Sequence, residues 1–421
     1  MDKLIIRGRA RLKGEVDISG SKNAVLPIMA AALLSEEESV IENVPNLWDV
    51  QTMVKLLRSL GAKAILESGV LKIKPGNHLK PFAPYKLVKT MRASVCVLGP
   101  LLARLGEAEV SLPGGCAIGP RPIDLHLKGL EALSAEIQID HGYVHAKVTS
   151  RLRGTDIYLG GGYGSSVLAT GNVMMAAVLA QGRTVVENAA CEPEVVDLAN
   201  FLKKMGAKIQ GEGSPRIEIE GVKKLRGVSY RVIPDRIEAG TYMFASAITQ
   251  GDVLIRKMEP GHLNAVIDKL QQAGVRIEKY KNAVRVKRIG KLRASDVTTL
   301  AYPAFPTDLQ AQAMALMTIT PGISIITEKI YPNRFMHVPE LGRMGAKIFL
   351  EGPSAIVHGV RKLSGAPVMA SDLRASAALV LAALVAEGET EVQRIYHLDR
   401  GYEDLEKKLT ALGATIRREK E

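Results

Sequence analysis

Cys116 is the residue of this chain best suited to chemistry. It stands in residues 112–122, LPGGCAIGPRP, whose glycines and prolines predict a loop, and Arg121 follows five residues later. A thiol acts as an acid or nucleophile when it can be reached and when nearby positive charge lowers its pKa, and a loop can carry it over a substrate. The alternative is a free cysteine that acts as a small hydrophobe. We favour the functional interpretation because two adjacent glycines remove its packing partners.

The composition indicates a globular chain of two domains. Of 421 residues, 47% are apolar and 24% are charged, and a chain of this length can bury two cores. No apolar run approaches the roughly 20 residues that span a bilayer, and the N-terminus lacks the apolar stretch of a signal peptide. Three cysteines are too few and too scattered for a disulfide framework or a zinc site. We therefore expect a cytoplasmic protein.

The net charge of +12 favours an anionic partner. Nucleic acid is a weak candidate, because the chain offers only six phenylalanines, eleven tyrosines and one tryptophan for stacking, and its basic residues are scattered. Small phosphorylated substrates fit this charge better.

One short pattern recurs six times: the end of an amphipathic helix, a tight turn and a strand. Its turn residues are Gly61, Ser134, Gly206, Gly274, Gly345 and Gly413, at intervals of 73, 72, 68, 71 and 68 residues. Such regularity indicates internal repeats. Each repeat also contains an upstream helix that is apolar nearly all round, which predicts burial, and a downstream hairpin. The unit is of βαβαββ type.

The sixth repeat stops after one hairpin arm, whereas the first strand of the chain lacks a partner. We therefore expect the N-terminal segment to complete the last repeat, giving an α/β fold of two domains with three repeats each. The predicted domains are residues 22–229, and residues 1–21 with 230–421. A one-dimensional solenoid is the alternative, and the hidden helices favour closed domains.

Polar residues begin the apolar helices. Helix N-termini carry partial positive charge and attract phosphate and carboxylate, and two opposed domain faces of this kind would form an anion-binding cleft. Ordinary capping explains Ser165 and Thr307. It does not explain Lys22, Arg92 or Arg374, whose charge opposes the helix dipole, so we interpret these cations as ligand-binding residues.

Seven motifs together resemble the UDP-N-acetylglucosamine enolpyruvyl transferases, over essentially the whole chain. They are SGSKNA (residues 19–24), KTMRAS (89–94), LPGGCAIGPRPIDLH (112–126), AFPTDLQAQ (304–312), NRFMHVPEL (333–341), DLRASAALV (372–380) and HLDRGYE (397–403). The resemblance implies two inside-out α/β domains with a substrate cleft between them and a mobile Cys116 loop. It also implies the first committed step of peptidoglycan synthesis, in which the sugar 3-hydroxyl adds to phosphoenolpyruvate and phosphate is lost.

The resemblance also implies roles for individual residues. Cys116 matches the proton donor and Asp308 the base for the 3-hydroxyl, with Lys22 and Arg400 also catalytic. The expected phosphoenolpyruvate ligands are Lys22, Asn23, Arg121 and Arg400. The expected contacts to UDP-N-acetylglucosamine are Arg92, Arg121, Pro122, Ile123, Asp124, Leu125, Asp308 and Ile330. Supporting polar residues are Arg334, Asp372 and Arg374. No metal or cofactor is expected, because side chains supply the cations.

The sequence departs from the family pattern before the third buried helix, where Gly164 and Leu168 replace residues of the usual motif, including a cation. A transferase of the same fold acting on shikimate 3-phosphate is an alternative, and the Cys116 loop argues against it. A basic nucleic-acid-processing protein on the same repeats is another; it would bind random oligonucleotides with steep salt dependence. We expect Cys96 and Cys191 to be packing residues. For His126 and His337, a structural hydrogen bond is as plausible as catalysis.

Overall fold

The computed structural model describes residues 2–113 and 123–420, and the chain divides into two compact units. The continuous unit runs from Gly20 to Ile233; the split unit combines the residues up to Ser19 with those from Pro234 onward. These boundaries lie a few residues from those expected from the sequence. Cys116, Arg121 and Pro122 lie outside the described residues.

The chain begins in the split unit with strands β1 (Asp2–Arg7) and β2 (Lys13–Asp17). The elements of the continuous unit follow in chain order: α1 (Lys22–Ala31), β3 (Ser39–Glu42), α2 (Trp48–Ser59), β4 (Lys63–Glu67), β5 (Val70–Lys74), β6 (Phe82–Ala83), α3 (Tyr85–Val88), α4 (Leu98–Leu105), β7 (Glu107–Ser111), α5 (Asp124–Ala132), β8 (Glu136–Asp140), β9 (Tyr143–Lys147), β10 (Asp156–Tyr158), β11 (Gly160–Gly161), β12 (Gly164–Ser165), α6 (Val167–Ala177), β13 (Arg183–Glu187), α7 (Pro193–Met205), β14 (Lys208–Gln210), β15 (Arg216–Glu220) and β16 (Ser229–Arg231).

The rest of the split unit follows: α8 (Arg236–Ile248), β17 (Asp252–Arg256), α9 (Asn264–Gln272), β18 (Arg276–Tyr280), β19 (Ala283–Lys287), β20 (Val297–Thr299), α10 (Gln310–Thr318), β21 (Ile323–Glu328), α11 (Val338–Arg343), β22 (Lys347–Glu351), β23 (Ser354–His358), β24 (Pro367–Met369), α12 (Leu373–Ala383), β25 (Glu389–Gln393), α13 (Tyr396–Asp399), α14 (Leu405–Ala411) and β26 (Thr415–Lys420). In the described part of the chain, four 3₁₀ helices lie at Ala32–Leu34, Arg92–Val97, Pro260–Leu263 and Thr307–Leu309.

The residues that the structure describes form six four-stranded sheets that repeat one arrangement. In each sheet an edge strand runs parallel to its neighbour, and the remaining pairs are antiparallel. The strand orders are β16-β3-β5-β4, β6-β7-β9-β8 and β10-β13-β15-β14 in the continuous unit, and β2-β17-β19-β18, β20-β21-β23-β22 and β24-β25-β1-β26 in the split unit.

The N-terminal strand β1 occupies the third place in the last sheet. Its Leu4 lies opposite Val392 of β25 on one side and Arg418 of β26 on the other. The sixth repeat has only one arm of its hairpin, and β1 takes the position of the missing arm. The first and last segments of the chain therefore share one sheet.

Each unit has its own hydrophobic core, built around its apolar helices. All residues of α8 and of α10 are buried, and α1 and α6 are buried along most of their length. A helix that is apolar on every side needs cover on every side, so the helices lie inside and the sheets outside. This confirms the predicted inside-out α/β architecture.

The six turn positions of the repeat share one backbone conformation. Ser134 has φ +73°, in the left-handed region that glycine adopts at the other five positions, such as Gly61 at +95°. The turn of the second repeat therefore has the same backbone conformation as the others, although serine replaces glycine there. Across the described residues, no helix combines the length and apolarity required to cross a bilayer.

Candidate functional site

Asp308 lies at the centre of a buried ionic cluster in the split unit. It belongs to the 3₁₀ helix Thr307–Leu309, one turn before α10, rather than opening the α-helix itself. Its Oδ1 accepts a 2.8 Å hydrogen bond from Arg334 Nη1, and its Oδ2 lies 3.6 Å from Arg374 Nε. About a quarter of the Asp308 side chain is exposed, whereas both arginines are buried. The carboxylate is therefore fixed from behind and remains accessible.

Arg334 joins Asp308 to Asp372. Its Nη1 also donates to Thr307 Oγ1 at 3.0 Å, and its Nη2 lies 3.9 Å from Asp372 Oδ1. Burial lowers the pKa of Arg334, but the attraction of Asp308 and Asp372 outweighs this effect and holds the pKa above its ordinary value. The guanidinium stays charged and sets the orientation of both carboxylates.

Asp372 caps α12 and so positions Arg374 at the start of that helix. Its Oδ1 accepts hydrogen bonds from the Arg374 and Ala375 amides, at 2.7 and 3.0 Å. The Arg374 guanidinium carbon lies 5.1 Å from the centre of the Tyr402 ring. Within the described part of the protein, its three side-chain nitrogens make no hydrogen bond of good geometry, although its charge interacts with Tyr402 and Asp308. A buried guanidinium with donors to spare suits an anionic ligand.

Arg400 is half-buried at the end of α13. Burial lowers the pKa of the nearby His397, and the charge of Arg400 lowers it further, against the opposing effect of Asp372. The charges of Arg400 and Asp372 thus shift the pKa of the same imidazole in opposite directions. The structure brings five predicted residues of the split unit into one neighbourhood: Asp308, Arg334, Asp372, Arg374 and Arg400.

Ile330 is held by a buried carboxylate that the sequence did not single out. Its amide donates to Glu328 Oε1 at 2.9 Å, as does the Tyr331 amide at 3.0 Å. Glu328 Oε2 accepts from Thr307 Oγ1 at 2.8 Å. One carboxylate therefore connects the Ile330 segment to the residue that precedes Asp308.

Lys22 and Asn23 open α1 in the continuous unit. Ser21 caps this helix by accepting a hydrogen bond from the Ala24 amide. Lys22 Nζ lies 3.3 Å from Asp49 Oδ2, and both side chains are buried. Asp49, in the first turn of α2, neutralises the cation that would otherwise oppose the dipole of α1.

Arg92 opens the 3₁₀ helix Arg92–Val97, so the predicted α-helix begins only at Leu98. Burial, with the nearby charge of Arg92, lowers the pKa of His126 to about 3. His126 Nδ1 lies 3.0 Å from Asn172 Nδ2. The imidazole is neutral, and Nδ1 accepts from the amide. This bond gives His126 a structural role.

Ile123, Asp124 and Leu125 lead into α5. Ile123 is buried before the helix, whereas Asp124 is exposed at its first position. Strands β11 and β12 pair with each other in an antiparallel arrangement, and Leu125 packs against Gly161 of β11. The approach is close, because a Cβ at position 161 would lie 3.2 Å from Leu125 Cδ1. The glycine segment that departs from the family pattern therefore lies against Leu125, one of the predicted nucleotide-sugar residues.

The two described cysteines have raised pKa values. Burial raises the pKa of Cys96 to about 12, and burial followed by Glu192 raises that of Cys191. Within residues 2–113 and 123–420, no group of three or more His, Cys, Asp and Glu side chains is arranged to hold a metal ion.

The family model of EPSP synthase (3-phosphoshikimate 1-carboxyvinyltransferase) matches residues 6–409. The chain is 56% identical to the UDP-N-acetylglucosamine 1-carboxyvinyltransferase of Myxococcus xanthus, with all of both chains covered. It is 57% identical to the protein of the same name from Geotalea uraniireducens, again over both full lengths.

Solved structures show the same fold. The enolpyruvyl transferase NikO from Streptomyces tendae matches with a TM-score of 0.89 at 26% identity, over 99% of each chain. EPSP synthase from Acinetobacter baumannii matches with a TM-score of 0.74 at 18% identity over all of both chains, a likeness of fold alone. The chain belongs to the EPSP synthase family and, within it, to the UDP-N-acetylglucosamine 1-carboxyvinyltransferases.

Proposed function

We propose that this protein transfers the enolpyruvyl group of phosphoenolpyruvate to the 3-hydroxyl of UDP-N-acetylglucosamine and releases phosphate. The observation that carries the proposal is the 56–57% identity, over the full length, to proteins named for this activity. The resulting enolpyruvyl sugar nucleotide is the first committed intermediate of peptidoglycan synthesis.

The reaction needs a base at the sugar hydroxyl, and we assign this role to Asp308. The 3-hydroxyl oxygen bonds to C2 of phosphoenolpyruvate while its proton passes to the carboxylate. Support comes from the geometry of Asp308, which is partly exposed and held at 2.8 Å by Arg334. A base fixed in one orientation needs no rearrangement before it accepts a proton.

We assign protonation of C3 to the Cys116 thiol, on the basis of the family motif. In the second step C3 loses a proton and the bond from C2 to the phosphate oxygen breaks, which forms the enol ether and inorganic phosphate. Lys22, Asn23, Arg121 and Arg400 are the proposed phosphoenolpyruvate ligands, because cations and amide donors stabilise charge on phosphate and carboxylate. Cys116 and Arg121 lie outside the described residues.

The nucleotide sugar is assigned to Arg92, Arg121, Pro122, Ile123, Asp124, Leu125, Asp308 and Ile330. Arg334, Asp372 and Arg374 are the proposed supporting polar residues of the site, with no metal or cofactor. Two features agree with these assignments: the exposed Asp124 and half-buried Leu125 at the start of α5, and the Ile330 amide fixed by Glu328.

The test is release of inorganic phosphate by the purified full-length protein. We expect release only when phosphoenolpyruvate and UDP-N-acetylglucosamine are both present, and strong loss with Cys116→Ala. A chelator should not reduce the rate. Folded protein that shows no turnover with both substrates would overturn the proposal, and turnover with shikimate 3-phosphate instead would support the alternative acceptor.

The substrates also bear on location and partners. Both carry phosphate charges and cannot cross a bilayer unaided, so we propose a cytoplasmic enzyme with small-molecule partners. We propose no nucleic-acid partner, since the positive charge is accounted for by anionic substrates.

A further inference from the structure

The segment that carries Arg400 is a short turn between two helices of the split unit. Arg400 ends α13, and α14 begins at Leu405. The Leu398 carbonyl accepts hydrogen bonds from the Gly401 amide at 2.9 Å and from the Tyr402 amide at 3.0 Å. The backbone around Arg400 is therefore tightly folded, and its position depends on what holds the three residues that follow.

Two of these three residues are held against the buried helices. Gly401 approaches the start of α12 so closely that a Cβ at this position would lie 2.5 Å from Leu373 Cδ1. The Tyr402 hydroxyl lies 2.9 Å from Thr241 Oγ1 of α8, and it accepts a 3.1 Å hydrogen bond from Gln312 Nε2 of α10. The turn is thus fixed relative to three interior helices.

Glu403, the third residue after Arg400, is held by Ser19. Ser19 is the last residue of the N-terminal segment of the split unit. Its hydroxyl donates a 2.5 Å hydrogen bond to Glu403 Oε2 and accepts a 2.7 Å hydrogen bond from Lys408 Nζ. An ammonium group can only donate, and a hydroxyl has a single hydrogen, so the direction of both bonds is determined. Ser19 thus joins a cation of α14 to the carboxylate of the turn.

Ser19 itself has little freedom to move. Its amide donates to Glu238 Oε2 at 2.8 Å, and its carbonyl accepts from the Asp235 amide at 2.9 Å. Glu238 is buried in the first turn of α8, and its Oε1 accepts from Lys408 Nζ at 2.6 Å. Charge-assisted hydrogen bonds of this kind are stronger than neutral ones. They hold the Ser19 hydroxyl at one point of the split unit.

We propose that Ser19 is a positioning residue for Arg400, which it holds in place through Glu403. A flexible side chain binds an anion more tightly when the backbone that carries it is already ordered, because less freedom is lost on binding. The proposal rests on the function proposed above, in which Arg400 binds phosphoenolpyruvate. The alternative is that the Ser19 hydrogen bonds only stabilise the fold.

The first test compares the two KM values of Ser19→Ala, which lacks the hydroxyl but keeps the backbone bonds of this residue. We expect KM for phosphoenolpyruvate to rise about three- to tenfold, because the turn must then be ordered when the substrate binds. KM for UDP-N-acetylglucosamine should stay within about twofold. Ser19→Thr keeps a hydroxyl on Cβ and should bring both KM values to within about twofold of the original chain.

Glu403→Ala removes the other end of the same link and should match Ser19→Ala. The double variant should be no worse than either single variant, since residues that act through one contact do not have additive effects. Effects on KM for phosphoenolpyruvate that multiply in the double variant would mean that Ser19 does not act through Glu403.

Ser246→Ala is the matched control. Ser246 is buried in α8 of the same unit, and its hydroxyl donates to the Val286 carbonyl at 2.8 Å. Its replacement also removes a buried hydrogen bond, but away from the turn, so both KM values should stay within about twofold of the original chain. Circular dichroism establishes that each variant is folded. An unchanged KM for phosphoenolpyruvate in Ser19→Ala, or an equal rise in both KM values, overturns the proposal.

Hydrogen exchange separates this proposal from the proposed function, because it needs no substrate. The peptide covering residues 396–404 contains the Gly401 and Tyr402 amides, and in Ser19→Ala it should exchange at least about threefold faster than in the original chain. Ser246→Ala should exchange there like the original chain. Equal exchange in Ser19→Ala overturns the positioning role, whereas an original chain without turnover overturns the proposed function.

Discussion

Arg334 Nη1 donates a 2.8 Å hydrogen bond to Asp308 Oδ1 and a 3.0 Å hydrogen bond to Thr307 Oγ1. The arginine side chain is buried, so it has little freedom to leave these partners. The direction of the Asp308 carboxylate is thus determined by a residue 26 positions away in the chain. This relationship makes Arg334 a positioning residue for the proposed base.

Replacing Arg334 by lysine should therefore lower kcat more than it changes KM. Lysine keeps the charge but cannot bond Asp308 and Thr307 in the same fixed plane. We expect kcat for phosphate release to fall about tenfold to hundredfold, with KM for both substrates within about threefold of the original. Arg343→Lys, at an exposed arginine of α11, is the control and should match the original chain. A rise in KM with kcat unchanged would assign Arg334 to substrate binding instead.

The Glu328 carboxylate offers a second test, specific for one substrate. Glu328→Asp is shorter by one methylene and cannot reach the Ile330 amide and the Thr307 hydroxyl at once. We expect KM for UDP-N-acetylglucosamine to rise about three- to tenfold while KM for phosphoenolpyruvate stays within about twofold. Glu340→Asp is the matched control, because Glu340 also accepts one backbone amide, from Met369. Equal changes in both KM values would show that Glu328 is only structural.

Much of the fold was visible in the sequence because it depends on local patterns. Six similar turns and six apolar helices predict repeated units with hidden helices, and the structure has them. At Ser134 the residue type alone does not predict the turn, because this serine adopts the left-handed conformation of the glycines at φ +73°. The starts of two helices were predicted less well: Arg92 and Asp308 stand in 3₁₀ turns, where local propensity gives little signal.

For the candidate site, the sequence singled out the residues within long motifs but not the residues that contact them in the structure. Asp49 contacts Lys22 from a different helix, and Glu328 resembles an ordinary charged residue at the end of a strand. Pairings over such sequence distances arise from packing, and a single sequence carries no local pattern for them.

Labelling with the epoxide fosfomycin, a phosphoenolpyruvate mimic, should modify one cysteine of the three. Cys96 is fully buried, and burial raises its pKa to about 12, so almost no thiolate is present at neutral pH. The pKa of Cys191 is also raised, first by burial and then by Glu192. We expect one adduct by intact mass, located on Cys116 by peptide mapping and absent in Cys116→Ser. An adduct on Cys96 or Cys191 in the native protein would contradict the assignment of the reactive thiol.

Asp197 makes the stability of the continuous unit depend on pH. Its carboxylate accepts hydrogen bonds from Tyr230 Oη at 2.6 Å and from the amide of Ile233, the last residue of that unit, at 3.3 Å. Burial raises the pKa of Asp197 from 3.8 to about 6, against the effect of these bonds. A raised pKa means that the folded state holds the proton more tightly, so this stabilisation is complete below about pH 4 and is lost as pH rises through about 6.

Replacing Asp197 by asparagine should remove this dependence and keep the acceptor for Ile233. Between about pH 4 and pH 7, we expect the unfolding free energy of the original chain to fall by about 2–3 kcal/mol relative to Asp197→Asn. Urea unfolding at a series of pH values measures the difference, with Asp268→Asn at an exposed position of α9 as the control. The unfolding free energy of the original chain is compared with that of Asp197→Asn at each pH, because other groups that titrate in this range affect both chains. Parallel pH profiles for the original chain and Asp197→Asn would mean that Asp197 has the same pKa in the folded and unfolded chains and does not couple protons to folding.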